Sequence, residues 1–557
     1  MKRWPIGISD FRRIREEGYL FVDTSCFISE IWKEDAQTIL VTRPRRFGKT
    51  LNLSMLSHFF DIRLKSAGLF KDLRIASDSL LMEQMNRVPT IFLSFKDIKD
   101  SDWDSALFHL KMVLSSLFQE FSPILLDVLG EPFLEKSFQS IVNLEAHVVQ
   151  YKNALKTLID LLFHKFQHPV LLLIDEYDVP IQSAWTNGYF DQMIDFMRVF
   201  LSAPLKDNPK LHKGVLTGIF RVAKESIFSG LNNLVPFTVL EDSFSAYFGF
   251  SPREVEWLVA QKWPQQQEKA SQQLQQLQEW YNGYRFGQQT VYNPWSVINF
   301  LKANRLKPYW IHSSSNDLVI EQVEKNLRRH PTFRAEMERL LSGDSIEKVL
   351  DDATALREID QSPSAIWTLF LFSGYLTPEA ATLEQGKYRC TLRIPNEEVQ
   401  LFFQDTISTW LTHPNPENLS RMLQDLLEGN APGFANSLQQ FALDTLSYYD
   451  LQIQSENTFH VLLLGLLAQL QSHFCIRSNR ESGFGLYDIL LEPRDPSLPG
   501  IVIEVKAGTH DLPKALEQIQ EKQYTRELLS KGIKELFLVA IGTEGKKVEV
   551  LTSESQR

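Results

Sequence analysis

The sequence predicts an α/β protein in three parts. An N-terminal parallel sheet with helices on both faces carries a phosphate-binding loop, a mostly helical region follows, and a mixed α/β unit ends the chain. Three observations carry this reading. The apolar run Ile39-Leu40-Val41 leads through Thr42-Arg43-Pro44-Arg45-Arg46-Phe47-Gly48-Lys49-Thr50 into a helical pattern from Leu51 to Phe60. A second run, Val170 to Ile174, ends in Asp175-Glu176-Tyr177-Asp178. Unbroken apolar runs of this length read as strands buried on both faces, as in a parallel sheet. Near the C-terminus, two β-type runs, Gly483 to Leu491 and Gly500 to Lys506, present Asp488 and Glu504-Val505-Lys506.

A chain of 557 residues holds more than one domain, and the pattern changes suggest boundaries at 1–250, 251–410 and 411–557. With 43 % hydrophobic and 23 % charged residues the composition is that of a globular protein. Three cysteines, Cys26, Cys390 and Cys475, lie far apart without metal-ligand spacing, which fits a reducing compartment. The start lacks a long apolar segment, and the longest apolar runs are too short for a bilayer. A cytoplasmic chain without a membrane partner is therefore expected. A net charge of −11 argues against a non-specific nucleic-acid coat but allows a local basic groove.

In chain order, residues 6–38 suggest a lead-in helix and an edge-covering strand or turn, with Asp23 and Thr24 as caps for the helix at Phe27-Ile28. The loop after Val41 comes next. Strand, tight loop and a helix opening on Gly48-Lys49-Thr50 form the arrangement that holds a nucleoside triphosphate. Amides over Arg45, Arg46, Phe47 and Gly48 face the phosphates, aided by the helix dipole. Lys49 is placed to reach the β/γ-phosphates and Thr50 to ligate Mg²⁺. Arg43 stands where such loops usually carry their first glycine, and Pro44 pushes it towards extended backbone. The opening of this loop is therefore expected to be unusual.

Strands with intervening helices follow. Thr90 to Phe95 and Gly214 to Phe220 are strand candidates, and Ala106 to Phe118 and Ala154 to Phe166 have helical spacing. Acids at the C-terminal end of such a strand lie where α/β sheets bind ligands. Asp175 is expected to hold Mg²⁺ through water, and Glu176 to polarise an attacking water. Thr217 is a candidate γ-phosphate sensor and Arg221 a candidate transition-state cation. Both also read simply as polar strand ends.

Residues 251–410 read as mostly helical, including a glutamine-rich solvated helix over Gln265 to Gln278, with Asn293-Pro294 as a cap. The aromatic group Trp280, Tyr281, Tyr284, Phe286, Tyr292 and Trp295 suits a packed interface better than base stacking. A helix over Ala365 to Phe372 precedes a hairpin from Gly374–Thr377 and Tyr388–Ile394, an arrangement similar to a winged helix with an acidic flank.

In the C-terminal unit a helix is expected from Phe459 to Leu470. Glu504 and Lys506, two apart on a strand, share a face. Asp488 on the neighbouring strand completes a carboxylate pair suited to Mg²⁺ or Mn²⁺. At such a centre the scissile phosphate is polarised and a bound water acidified, while Lys506 positions that water or stabilises charge.

Three segments together carry a family resemblance: Arg43-Pro44-Arg45-Arg46-Phe47-Gly48-Lys49-Thr50, Phe220 to Leu234, and Trp280-Tyr281-Asn282-Gly283-Tyr284-Arg285-Phe286. The chain resembles a prokaryotic group joining an AAA-like ATPase domain to a C-terminal PD-(D/E)XK nuclease-superfamily domain of restriction-endonuclease-like α/β fold. The arginine at position 43 resembles that group too. The resemblance implies that Gln518 and Tyr524, on the helix over Leu512 to Ser530, occupy auxiliary positions orienting Lys506 or the phosphate. It also raises Glu456 as an added metal ligand, although Glu456 and His460 read better as a cap and a satisfied helix residue. The expected function is ATP-regulated, metal-dependent phosphodiester cleavage of DNA, with RNA and a homo-oligomer left open. The rivals are a nucleotide-dependent interaction protein that binds without cutting, and a nuclease with a degenerate ATPase.

Overall fold

The computed structural model describes residues 3–130, 132–221, 233–313, 316–352, 363–412, 416–428, 430–445, 463–464, 466–467, 470, 473–482, 485–495, 498–508, 510, 512–521, 528–529, 531–533, 535–544 and 547–556. Five strands build the first sheet: β1 (Thr38–Thr42), β2 (Thr90–Ser94), β3 (Val170–Asp175), β4 (Leu211–Gly218) and β5 (Leu234–Phe237). They are all parallel, in the order β2-β3-β4-β1-β5. Every residue of β1 and β3 is buried, as their unbroken apolar runs require. Helices Lys49–Phe60, Trp103–Leu125, Ala154–Phe166 and Phe190–Leu205 accompany them.

The order places β4 between the loop-bearing β1 and the acid-bearing β3. Thr42 pairs with Gly218 and Ile174 with Leu216, so the carboxyl ends of the three strands finish together. That shared end is where an open parallel sheet offers a ligand crevice. At the amino end, the helix expected near Phe27 begins at Cys26 after Ser25, without a side-chain cap. Asp23 instead accepts the Arg74 amide, and Thr24 donates to Asn52.

The chain divides into two compact units, one of Met1–Ser314 with Glu347–Glu397, the other of Ser315–Ile346 with Glu398–Arg557. Residues 251–410, expected as a region of their own, are shared between them. In the first unit, helices Pro252–Lys262, Gln267–Tyr281 and Pro294–Ala303 enclose Val255, Leu258, Leu277, Tyr281, Tyr292, Val297 and Phe300. Most of the aromatic group is thus core. Asn293 caps its helix through the Ser296 amide (3.1 Å).

A short hairpin pairs β6 (Tyr284–Phe286) with β7 (Gln289–Val291). A three-stranded sheet follows, from β8 (Ile346–Leu350), β9 (Thr377–Glu384) and β10 (Lys387–Arg393) in the order β8-β10-β9. Its tight turn uses Gln385 (φ 50°) and Gly386 (φ 79°), the left-handed pair that matches strand twist in two-residue hairpins.

The second unit contains β11 (Phe474–Ser482), β12 (Gly485–Pro493), β13 (Gly500–Ala507), β14 (Glu535–Glu544) and β15 (Lys547–Gln556), hydrogen-bonded in sequence order. Only β13 and β14 are parallel, and the helix Leu512–Glu521 lies in the crossover between them. Leu490, Val502, Ile519, Leu528, Ile533, Leu536 and Leu538 form the core beneath it. The expected helix over Phe459 to Leu470 lies largely outside the described residues. Among the described residues, no helix is long and apolar enough to cross a membrane.

Candidate functional site

The nucleotide loop ends on Gly48 (φ 89°), after which the helix Lys49–Phe60 begins. The Lys49 ammonium is buried and donates to the carbonyls of Arg43 and Pro44, both at 2.9 Å. Burial pushes its pKa down, opposed by Glu176, Asp175 and Asp178 in that order. Asp175, fully buried, accepts Thr50 Oγ1 at 2.7 Å and Thr217 Oγ1 at 2.6 Å. Hydroxyls from β4 and the loop helix thus share the one carboxylate that ends β3, the arrangement expected of residues that would hold Mg²⁺ beside a triphosphate.

Glu176 follows with left-handed backbone (φ 54°). Its carboxyl is raised above the usual range by desolvation, with Lys49 the main opposing charge. Such a carboxylate suits a general base. Arg221 is engaged by Asp352 at 2.8 Å.

Arg43 explains the missing glycine. Its side chain is completely buried and donates to the carbonyls of Thr42 (2.8 Å), Phe237 (2.9 Å) and Ser243 (3.3 Å). The guanidinium also lies over Phe248 and Phe286, at 5.1 and 5.3 Å. It is a buried tie rather than a phosphate ligand. The sequence showed a departure from the loop pattern that the family resemblance shares, but not the tie, because the three carbonyls come from segments that spacing does not link.

Two neighbours of the acids were also missed. Asp178, buried, accepts the amides of Ile219 (2.8 Å) and Phe220 (3.0 Å). Tyr177 donates its amide to the Thr217 carbonyl (3.1 Å) and its hydroxyl to the Phe220 carbonyl (2.6 Å). Together they pin the end of β4 at Thr217 and the residues that lead from it to Arg221. The third and fourth residues of the Asp-Glu-Tyr-Asp run were the available signal.

The second centre lies where β12 and β13 part. Their pairing runs from Leu491↔Ile501 to Ile489↔Ile503, and one residue further Asp488 Oδ2 accepts the Val505 amide at 2.7 Å. Glu504, 2 % exposed, is gripped at Oε1 by Lys506 Nζ (2.9 Å) and Gln518 Nε2 (2.8 Å). So Glu504, Lys506 and Gln518 meet directly, and Asp488 sits on the adjoining backbone. Tyr524, Glu456 and His460 fall outside the described residues.

Among the described residues, no group of three or more His, Cys, Asp or Glu side chains could hold a metal. Asp488 and Glu504 nevertheless fit a hard divalent cation, because Mg²⁺ commonly binds through one or two carboxylates and keeps several waters. A buried carboxylate beside a lysine is the appropriate donor chemistry.

The folds and the two centres define an ATPase-like module and a nuclease-like unit in one chain. Comparison with known proteins agrees. Residues 5–228 match the family described as predicted AAA-ATPase, and residues 454–553 match the PD-(D/E)XK nuclease superfamily. The chain therefore joins an AAA-ATPase-like domain to a C-terminal PD-(D/E)XK nuclease-superfamily domain. It is 25 % identical over 445 residues to an uncharacterized protein in the vnfD 5′ region of Azotobacter chroococcum mcd 1, covering 77 % of this chain and 75 % of that protein. Among solved structures, the ORC2 protein of Aeropyrum pernix in its ADPNP–ADP complexes aligns at 11 % identity and a TM-score of 0.23, over 71 % of this chain and 98 % of that one. At that score the fold rests on the strand order described above.

Proposed function

We propose that the chain is a cytoplasmic ATP-binding protein that cleaves DNA phosphodiesters with Mg²⁺ or Mn²⁺ and uses its nucleotide state to regulate the cut. The observation that carries the cutting half is Glu504, a buried carboxylate held by Lys506 and Gln518 where two strands separate. A divalent ion on Asp488 and Glu504 would supply Lewis acidity at the scissile phosphate and a more acidic bound water. Lys506 then orients the attacking water or neutralises charge on the pentacovalent phosphorus, and Gln518 fixes the Glu504 carboxylate.

The nucleotide half is supported by Asp175 taking both Thr50 and Thr217 beside a buried Lys49. Bound ATP would place its β/γ-phosphates at Lys49 and the loop amides. Glu176 is positioned to receive the proton of an attacking water, and Arg221 to meet charge on the transferring phosphoryl group once released from Asp352.

The test is cleavage of single- and double-stranded DNA by the pure chain in Mn²⁺ or Mg²⁺, with ATP, ADP or a non-hydrolysable analogue. Metal-dependent products whose rate follows the nucleotide, and shifts in Lys49→Ala, support the reading. Products indifferent to nucleotide and to Lys49 remove the regulation. No product under any nucleotide leaves a protein that binds without cutting.

A further inference from the structure

The nucleotide loop lacks its usual opening glycine yet bends sharply. Arg46 (φ 69°) and Gly48 (φ 89°) both take left-handed backbone, on either side of Phe47. Glycine adopts this region freely, whereas a side chain bearing Cβ is disfavoured there. Something must hold Arg46, and with it the amides at the head of the helix.

The contacts that do so come from beyond residue 228, where the ATPase-family match ends. Trp310, completely buried, donates its indole N–H to the Arg45 carbonyl at 3.0 Å and lies 5.0 Å from the Arg45 guanidinium. Arg45 Nη2 donates to the Tyr375 hydroxyl at 3.2 Å. Arg46 stacks 4.3 Å from Trp295 and donates to the Ser313 carbonyl at 3.0 Å. Trp295 is fixed in turn by its own N–H to the Tyr309 carbonyl at 3.1 Å. Phe47 meets Tyr284 and Phe286 edge-on, at 5.0 and 5.1 Å. At Gly374 an added Cβ would stand 2.9 Å from the Pro44 ring. Each residue from Pro44 to Phe47 thus has a partner of its own in the segment 284–375.

We propose that Trp295, Trp310 and Tyr375 are positioning residues of the nucleotide loop, holding from outside the left-handed backbone that Arg46, unlike a glycine, does not adopt freely. The proposal rests on the nucleotide-binding reading above. It assigns to the segment after the ATPase-family match a part in nucleotide affinity, although none of the three aromatic residues needs to touch the nucleotide.

The experiment titrates Mg²⁺ and a non-hydrolysable ATP analogue into four full-length chains: wild type, Trp310→Phe, Trp295→Leu, and Trp295→Leu combined with Arg46→Gly. Trp310→Phe keeps a ring beneath Arg45 but removes the N–H, so affinity is expected to fall about tenfold, the scale of one hydrogen bond. Its nucleotide-free melting temperature should stay within a few degrees of wild type. Trp295→Leu should weaken binding similarly, and Arg46→Gly should restore much of that loss, because glycine needs no external hold. Unchanged affinity in both tryptophan variants overturns the proposal. So does a loss in Trp295→Leu that Arg46→Gly leaves untouched, which would mark ordinary packing damage. A wild-type chain that binds no nucleotide would sink the underlying reading and the proposal with it.

Discussion

Arg221 Nη1 lies 2.8 Å from Asp352 Oδ2, and both side chains are largely withdrawn from water. The cation proposed to meet a transferring phosphoryl group is therefore occupied by an acid from the loop after β8. Asp352→Asn weakens that hold without removing the side chain. It is expected to raise ATP turnover several-fold, whereas Arg221→Ala should lower kcat about a hundredfold with little change in nucleotide Kd. Steady-state phosphate release from both variants decides this, and equal kcat in all three chains would remove Arg221 from the chemistry.

Glu176 gives a pH signature. Burial raises its pKa, so hydrolysis should fall as pH drops through a value above the ordinary carboxylate range of about 4.3. The stability effect has the opposite sense. A carboxyl whose folded pKa is raised contributes its stability below the unfolded pKa and loses it as pH rises through the folded one. Glu176→Gln should therefore bind ATP, lose hydrolysis, and melt slightly higher than wild type at neutral pH. Calorimetric melting beside a phosphate-release assay checks both.

At the second centre, Glu504→Gln and Lys506→Met should each reduce metal-dependent DNA cleavage by about a hundredfold or more, with ATP affinity unchanged. Gln518→Ala removes only the donor at 2.8 Å from Glu504 Oε1. A milder loss, about ten- to a hundredfold in kcat, is expected from a hydrogen bond to a charged group. Single-turnover cleavage at saturating Mn²⁺ separates this loss from weakened metal binding.

Restoring the usual glycine should be harmful here. Arg43→Gly leaves the carbonyls of Thr42, Phe237 and Ser243 without their buried donor. A destabilisation of about 3 kcal/mol or more is expected, visible as a lower denaturant midpoint. A variant as stable as wild type would show that the tie is dispensable.

How much could be read in advance depended on where each signal lay along the chain. β1 and β3 were legible because burial on both faces leaves an unbroken apolar run. β4 was found only from Gly214 onward, since Lys213 interrupts the apolar pattern inside the strand. The Lys49, Thr50, Asp175 and Thr217 constellation was legible because each residue ends a strand or opens a helix in a known order. Glu504 and Lys506 followed from the two-residue period of a strand. The fixing of Arg45 by Trp310 and of Arg46 by Trp295 was not legible, because about 250 residues separate the partners and no periodicity connects them. The same holds for Asp352, whose loop carries no motif.

The division of the chain has a practical outcome. Residues 315–346 leave the first compact unit for the second, and 347–397 return before the chain leaves again. Three covalent passages therefore join the units. One proteolytic nick cannot release either as a separate piece, and a gene broken at any single codon would split at least one unit between the two fragments. Half-length expression products should be insoluble or protease-sensitive, and any exchange of nuclease-like tails between such proteins would have to carry the 315–346 segment along with the tail.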